Sequence, residues 1–436
     1  MRKVGTLRST QCLRTVQAAS LAVAKVLALV SAGMSGLLFV RKRPPWGLVL
    51  WAPKLLAGAL SPLLAVVGLV GAVLGVLGRA PSAVFAGALG LAASARYVWR
   101  VVTASGDFDR AFGPGWQARI PPARALAMLK GRWTWNPPHP PQPRWERDVA
   151  FWPVPGSDCP LLCDLWQPPA GVTPSGMAVL YLHGSAWSVS DKDMGTRPLF
   201  RHLAAQGHVV MDVAYRLCPE VELRGMVGDV KRAIAWMKAH SGEYGVDPQR
   251  IVLAGGSAGA HLALLAAYTP HHPELVPEDV QGADLSVRAV VSYYAPVDLR
   301  ATAEHNRGLA PLAARRGDPS QRRRPQAAQL ELVANALDNL LGGRPDEVPA
   351  MYDLASPLSH VHPACPPTLL IQGEHDVLVP VAPARALYEK LMEAGVPAVY
   401  LELPQTDHGF DLMLPRRSPP AQVALYEVER FLALVL

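Results

Sequence analysis

RIVLAGGSAGAHLALLAAY, residues 250–268, is the stretch whose reading decides the fold. Arg250–Ala254 is short, β-branched at its start and apolar after the arginine, which predicts a buried strand. Ala258–Tyr268 is long enough to be the helix that follows it. Between the two, Gly255, Gly256 and Gly259 surround Ser257. A serine there sits on a tight strand-to-helix turn, where small neighbours relieve crowding around a strained backbone. Its hydroxyl projects above the sheet edge, and the helix N-terminus offers N–H groups and positive potential to a developing oxyanion. A helix N-cap role would explain the serine but not glycines on both sides of it.

Outward from this turn, apolar runs alternate with amphipathic stretches of a dozen residues or more. Strands are predicted at Met177–Leu182, His208–Val213, Arg288–Tyr293, Thr368–Ile371 and Ala398–Leu403. Helices are predicted at Met226–His240, Pro383–Ala394 and Ala421–Leu434. Buried strands alternating with helices imply an α/β fold, a mostly parallel sheet covered on both faces. Ala150–Val154 and Leu161–Trp166, separated by a Pro-Gly-Ser turn, add an antiparallel edge hairpin. Leu299–Ala350 sits where a lid would cover the crevice, and its arginine run within Ala313–Gln326 reads as solvated surface.

A serine nucleophile needs a base, and the base needs an orienter. Asp376 lies just past the strand at 368–371, and His408 just past the strand at 398–403. Loops after such strands reach the crevice at the carboxyl edge of a parallel sheet. The chain order Ser257, Asp376, His408 is the one expected when successive strands carry a triad. Glu374 and Asp407 are rivals of Asp376 for the orienting role. The turn after the strand at 177–182, His183 to Trp187, is built of small residues and can aim backbone N–H groups at the crevice. His183 reads as a structural hydrogen-bonder of that turn.

Five motifs now stand in order: HGSAW at 183–187, YRLCPE at 215–220, GGSAG at 255–259, GEHD at 373–376 and DHGF at 407–410. Together they resemble the α/β-hydrolase superfamily and, within it, the hormone-sensitive-lipase and feruloyl-esterase-like carboxylesterases. The resemblance covers about residues 145–436. It implies Ser257 as nucleophile, His408 as base and Asp376 as orienter. It also implies an oxyanion hole made of backbone N–H groups from Gly184, Ser185 and Ala258. The chain departs from the family at Ser185-Ala186, where a second and third glycine are common. If residue 185 needs a positive φ, serine is strained there by roughly 1–2 kcal/mol relative to glycine.

Composition divides the chain in two. Residues 1–100 hold 12 Lys/Arg and no acid, whereas the remainder holds 30 bases against 35 acids. The net charge of +7 therefore belongs to an apolar N-terminus and not to a nucleic-acid-binding surface. Leu55–Gly78 is 24 residues without a charge, long enough to cross a bilayer core. Ser82–Ala95 is a weaker candidate, with Tyr97, Trp99, Arg96 and Arg100 beyond it as an interfacial belt. Val26–Val40 is a third, flanked by Lys25 and by Arg41, Lys42 and Arg43. Positive charge favours the cytoplasmic side, so a two-span hairpin would leave 41–54 and the chain after Arg96 inside, with Val26–Val40 in the interface or re-entrant. The expected organisation is a membrane-anchoring segment of two to three spans at 1–104, a linker at 105–144 and an α/β-hydrolase domain at 145–436. The proline-rich stretch 136–144 (NPPHPPQPR) reads as a stiff spacer. An N-terminal membrane segment lies outside the family's common core, although some relatives that demethylate prenylated cysteine esters carry one.

The expected activity is ester hydrolysis through an acyl-enzyme, with no metal or organic cofactor called for. The expected partners are a small-molecule ester, lipid-derived or otherwise lipophilic, and membrane lipids, with no nucleic acid among them. An amidase or formamidase using the same triad is the neighbouring reading. A catalytically silent, membrane-tethered binding module is a third, against which stands the presence of all three triad residues. Odd, sparse cysteines (five) point away from a disulfide scaffold or zinc knuckle.

Overall fold

The computed structural model describes residues 2–42, 46–154, 157–307 and 334–436, with the backbone alone for 2–18. The arginine run within 313–326, the middle of the 299–350 lid region and Pro155-Gly156 of the hairpin turn lie outside the described residues.

Eight strands form one sheet in the order β1-β2-β4-β3-β5-β6-β7-β8. They are β1 (Arg144–Trp152), β2 (Leu161–Gln167), β3 (Ala178–Leu182), β4 (Val209–Val213), β5 (Ile251–Gly256), β6 (Ala289–Tyr293), β7 (Thr368–Gly373) and β8 (Ala398–Leu403). β1 and β2 pair antiparallel and β2 runs antiparallel to β4, so the edge hairpin is present; β4-β3-β5-β6-β7-β8 is parallel. The pleat sends alternate residues to opposite faces. In β3, Ala178, Leu180 and Leu182 enter one hydrophobic cluster, while Val179 and Tyr181 enter another. Both faces are covered, as the continuous apolar runs require.

Four N-terminal helices precede the sheet: α1 (Arg2–Leu37), α2 (Trp46–Ala59), α3 (Ser61–Leu77) and α4 (Pro81–Thr103). The later helices that position the site are α5 (Arg197–Ala205), α6 (Leu223–Ala239), α7 (Ala258–Tyr268), α8 (Val381–Glu393) and α9 (Pro419–Val435). One face of the sheet is covered by α6, α7 and α8. The other is covered by α5 and α9 together with Leu38, Ala57, Leu64, Tyr97 and Val101 of the N-terminal helices.

Two expectations change. Leu55–Gly78 is not one straight span: the chain breaks at Leu60, and α2 and α3 meet at 76°. Pro62 is the cause. It has no N–H to give the carbonyl of Gly58, four residues back, and the Ser61 hydroxyl donates to that carbonyl instead at 2.8 Å. Among the described residues one helix segment, Ala19–Leu37, is by itself long and apolar enough to cross a membrane. It overlaps Val26–Val40, the third of the expected segments.

The second concerns the linker: ahead of the proline run, the stretch 129–134 is bonded to α9, and the run itself is held at Pro137. Leu129 N–H donates to Glu429 at 2.7 Å, Thr134 N–H to Gln422 at 2.8 Å, and Arg416 donates to the Pro137 carbonyl at 2.8 Å. An extended proline run has no internal hydrogen bonds, so its carbonyls are free for such donors.

Candidate active site

The predicted turn is built as its residues require. Ser257 has φ +54° and ψ −120°, between the end of β5 and the first turn of α7. Its N–H donates to the Tyr293 carbonyl of the neighbouring strand at 2.9 Å. The flanking glycines are there for contact. A Cβ on Gly255 would lie 2.6 Å from the Gly259 carbonyl carbon, and one on Gly259 would lie 2.0 Å from the Leu182 carbonyl oxygen. Helix α7 can therefore press against β3 and β5 only without side chains at those positions.

Of the expected residues, the structure brings Ser257, His408 and Asp376 together. His408 Nδ1 lies 2.8 Å from Asp376 Oδ2, and Nε2 lies 2.9 Å from Ser257 Oγ. With Nδ1 donating to the carboxylate, the neutral ring presents Nε2 as acceptor to the serine hydroxyl. Asp376 is fixed by Gln372, which donates to Oδ2 at 2.9 Å, and by the N–H groups of Leu378 and Val379 on Oδ1. Neither rival for the orienting role reaches His408 Nδ1. Glu374 accepts from Gln405 N–H at 2.8 Å, and Asp407 accepts from the N–H groups of Val377 and His408, each at 2.9 Å.

The 183–187 turn stands against the nucleophile: a Cβ on Gly184 would lie 3.3 Å from Ser257 Cβ and 3.0 Å from the Gly256 carbonyl oxygen. Ser185, Ala186 and Trp187 have φ of +104°, +53° and +59°. Ser185 thus occupies the left-handed region that favours glycine, and its hydroxyl donates to the Val189 carbonyl. Among the described residues, the N–H groups of Gly184, Ser185 and Ala258 have no acceptor. His183 is structural in this geometry. Its Nδ1 lies 2.8 Å from the Gly184 carbonyl, its ring stacks on Tyr215 at 4.5 Å, and burial pushes its pKa down. Tyr215 in turn donates to the His183 carbonyl at 2.7 Å, and Arg216 clamps Asp229 with two bonds of 2.9 and 2.7 Å.

Four further residues at the site escape a reading of motifs. Tyr294, at the end of β6, packs its ring 4.4 Å from that of His408 and donates to Asp411, whose carboxyl burial pushes up. Trp51 of α2 donates through Nε1 to the His408 carbonyl at 2.7 Å. Lys54, one turn on, lies 3.1 Å from Asp407 Oδ2 and 3.2 Å from His375 Nδ1. Burial, then the nearby Lys54 charge, pull His375 down to about 4, so its ring is neutral and can accept from the ammonium. The signal for Lys54 was in the sequence: it is the single charged residue from Trp46 to Gly78, and a lone charge in such a run has a specific partner.

A family model, BD-FAE, matches residues 163–391, just over half of the chain. The Probable carboxylic ester hydrolase LipM of Mycobacterium tuberculosis is 34% identical over 273 residues, which are 62% of this chain and 57% of that protein. Esterase LipQ of the same organism is 31% identical over 315 residues, covering 71% of this chain and 69% of its own length. The chain thus spans somewhat over half to about two thirds of these relatives. Among solved structures, butyrate-bound esterase 2 of Thermogutta terrifontis is 25% identical with a TM-score of 0.45, covering 61% of this chain and 85% of that one. With a mostly parallel sheet, a serine on the β5–α7 turn and a family model over more than half its length, the chain belongs to the BD-FAE family and has the α/β-hydrolase fold.

Proposed function

We propose that this protein is a membrane-anchored serine carboxylesterase acting through a Ser257–His408–Asp376 triad. The observation that carries the reading is the bridge of His408 between Asp376 and Ser257, at 2.8 and 2.9 Å. His408 Nε2 takes the Ser257 proton as Oγ bonds to the ester carbonyl carbon, and the resulting oxyanion is held by N–H groups of Gly184, Ser185 and Ala258. Collapse of the tetrahedral adduct breaks the bond to the alcohol, which leaves with the proton held by His408. Water, deprotonated by His408, then releases the acid and restores Ser257. Asp376 keeps Nδ1 protonated throughout, so that Nε2 is the basic nitrogen. The names of LipM and LipQ support an ester as the bond cleaved.

Membrane anchoring is supported by α1, α3 and α4, which pack with α1 and α4 each antiparallel to α3: Gly71 abuts Ala28, and Gly87 abuts Ala72. We read them as up to three spans, with α2 lying across their domain end. A lipophilic ester is the substrate this location favours, since it concentrates in the bilayer beside the site. Arg41 and Arg100, near His375, and Lys42, near Val377, lie at the domain end and favour a cytoplasmic hydrolase domain, while the bases ahead of Leu21 weigh against it.

Full-length protein in lipid nanodiscs should hydrolyse p-nitrophenyl acyl esters and lose about four orders of magnitude in turnover on Ser257→Ala. Retained activity in that variant removes Ser257 from the mechanism. Long-chain esters should be preferred to butyrate, and equal turnover across chain length would sink the lipophilic reading. In intact cells the exposed Cys159 should resist a membrane-impermeant maleimide; labelling would place the domain outside.

A further inference from the structure

Among the described residues, the side-chain hydrogen bonds from the N-terminal helices to the hydrolase domain fall on one loop, 405–409, which carries His408, and on His375 beside it. Lys54 pairs with Asp407 at 3.1 Å, and both side chains are only 5% exposed. Trp51 donates to the His408 carbonyl at 2.7 Å, and its indole edge would lie 3.8 Å from a Cβ on Gly409. Tyr97 of α4 shares a 3.2 Å hydrogen bond with Thr406, and Gly58 of α2 lies against the Tyr97 hydroxyl. Every residue from Thr406 to Gly409 thus meets α2 or α4.

A tether has no need of this. An anchor that only localises an enzyme can touch it anywhere, and desolvating an ammonium and a carboxylate is costly unless their geometry is used. Asp407 links the contact to catalysis directly. Its Oδ2 takes Lys54, while its Oδ1 takes the N–H groups of His408 and Val377, the latter adjoining Asp376. One carboxylate therefore ties α2 to the backbone of both the base and the residue next to its orienter.

We propose that α2 is a working part of the active site, with Lys54 and Trp51 as positioning residues that hold the His408 loop in register with Ser257. Catalysis then requires the anchor to be docked, and the hydrolase domain is incomplete without it. This rests on the triad reading above, and Ser257→Ala, run in the same assay, tests that reading separately.

The test uses the full chain in nanodiscs, with a short, soluble p-nitrophenyl ester so that membrane partitioning plays no part. Active sites are titrated with a fluorophosphonate, so that kcat refers to folded enzyme. Lys54→Met should lower kcat 10- to 100-fold, the scale of effect that about an ångström of misplacement produces, with KM changed less than twofold. Trp51→Phe, which removes the N–H donor and part of the ring that lies against Gly409, should lower kcat about three- to tenfold. Amide exchange at 406–409 should quicken in both. Should Lys54→Met not fold because Asp407 is left buried and unpaired, Lys54→Met with Asp407→Asn removes that charge and should show the same kcat loss. If titrated kcat stays within twofold of wild type in these variants, whatever happens to yield, melting or exchange, Lys54 and Trp51 merely dock the anchor and the proposal is wrong.

Discussion

The N-terminal helices and the hydrolase domain are packed by opposite rules. In the sheet, large apolar side chains lie inside: Leu180, Leu253, Val291 and Leu401 are all buried. In α1, α3 and α4 the small residues are inside. Gly68, Gly71, Gly75, Gly87 and Gly90 are buried with Ala24, Ala28, Ser31, Ser35 and Ser94, while Val26, Leu69, Val73, Val76, Phe85 and Leu89 face outward. Ser35 and Ser94 bond to one another at 2.6 Å, and Ser31 donates to the Leu64 carbonyl at 2.8 Å. In water such an arrangement would leave its apolar surface unburied. In lipid, where apolar burial gives helices no reason to associate, close backbone approach and interhelical hydrogen bonds hold them together. The difference is the one that a lipid-facing bundle beside a water-facing domain would show, which supports the anchoring proposed above, and α2 lies between the two kinds of packing.

The largest expected effect comes from breaking the two apart. Removing residues 1–104 takes Leu38, Ala57, Leu64, Tyr97 and Val101 out of the cluster that covers Val399, Leu401 and Leu403. It also strands Asp407 without Lys54. The truncated chain should aggregate or lose more than 100-fold in titrated kcat, read from soluble yield and ester turnover. A soluble, fully active truncation would mean that the two regions share no core.

The next effect separates them by pH. Residues 1–100 contain no carboxylate, so carboxyl titration acts only through the rest of the chain. Asp212, on β4 opposite Asp164 of β2, is pushed up to about 8 by burial, against the 2.6 Å bond from Asp193 N–H. Its folded pKa lies above its unfolded one. Between pH 4 and about 8 the native state therefore holds the extra proton, and stability falls as pH rises through that window. Asp212→Asn should flatten this slope, gaining a few kcal/mol over wild type by pH 8 and almost nothing at pH 4. Parallel denaturation curves across the range would show that Asp212 is not the group responsible.

A smaller effect tests the inside-out packing itself. A Cβ on Gly90 would lie 2.2 Å from Ser31 Oγ and 2.8 Å from Ala32 N, so Gly90→Ala must push α1 away from α4. Overpacking of this kind costs about 1–3 kcal/mol. Leu69→Ala, on the outward face, should cost under about 0.5 kcal/mol. Melting of both in one detergent decides it, and equal losses would remove the distinction between inside and outside.

The hydrolase half was legible because β3 to β7 are buried on both faces and each triad residue follows a strand. Ser257, Asp376 and His408 all lie just past β5, β7 and β8. The α2–α3 break was less legible, because hydropathy does not register what Pro62 does to the carbonyl of Gly58. Lys54 was hidden by distance, 353 residues from the carboxylate it pairs with. No local pattern encodes such a contact, although its solitude in an apolar run marked it.

The bundle glycines and residue 185 differ in what calls for a glycine, and the smallest prediction turns on this. In the bundle, glycines stand where a Cβ would strike a neighbour; at Ser185 the backbone asks for glycine by conformation, with φ +104°, and does not have it. Holding a non-glycine residue there costs roughly 1–2 kcal/mol, offset in part by the hydroxyl's bond to the Val189 carbonyl, about 0.5–1.5 kcal/mol. Ser185→Ala keeps the strain and loses the bond, so it should melt lower than wild type by the equivalent of about 1 kcal/mol. Ser185→Gly loses both, and adds about 0.4–1 kcal/mol of unfolded-state freedom, so it should fall within about 1 kcal/mol of wild type and above Ser185→Ala. Because an oxyanion donor here would be the backbone N–H, titrated kcat in the glycine variant should stay within about threefold. If the alanine variant melts at or above the glycine variant, no strain is stored at Ser185, and the turn tolerates a side chain at positive φ.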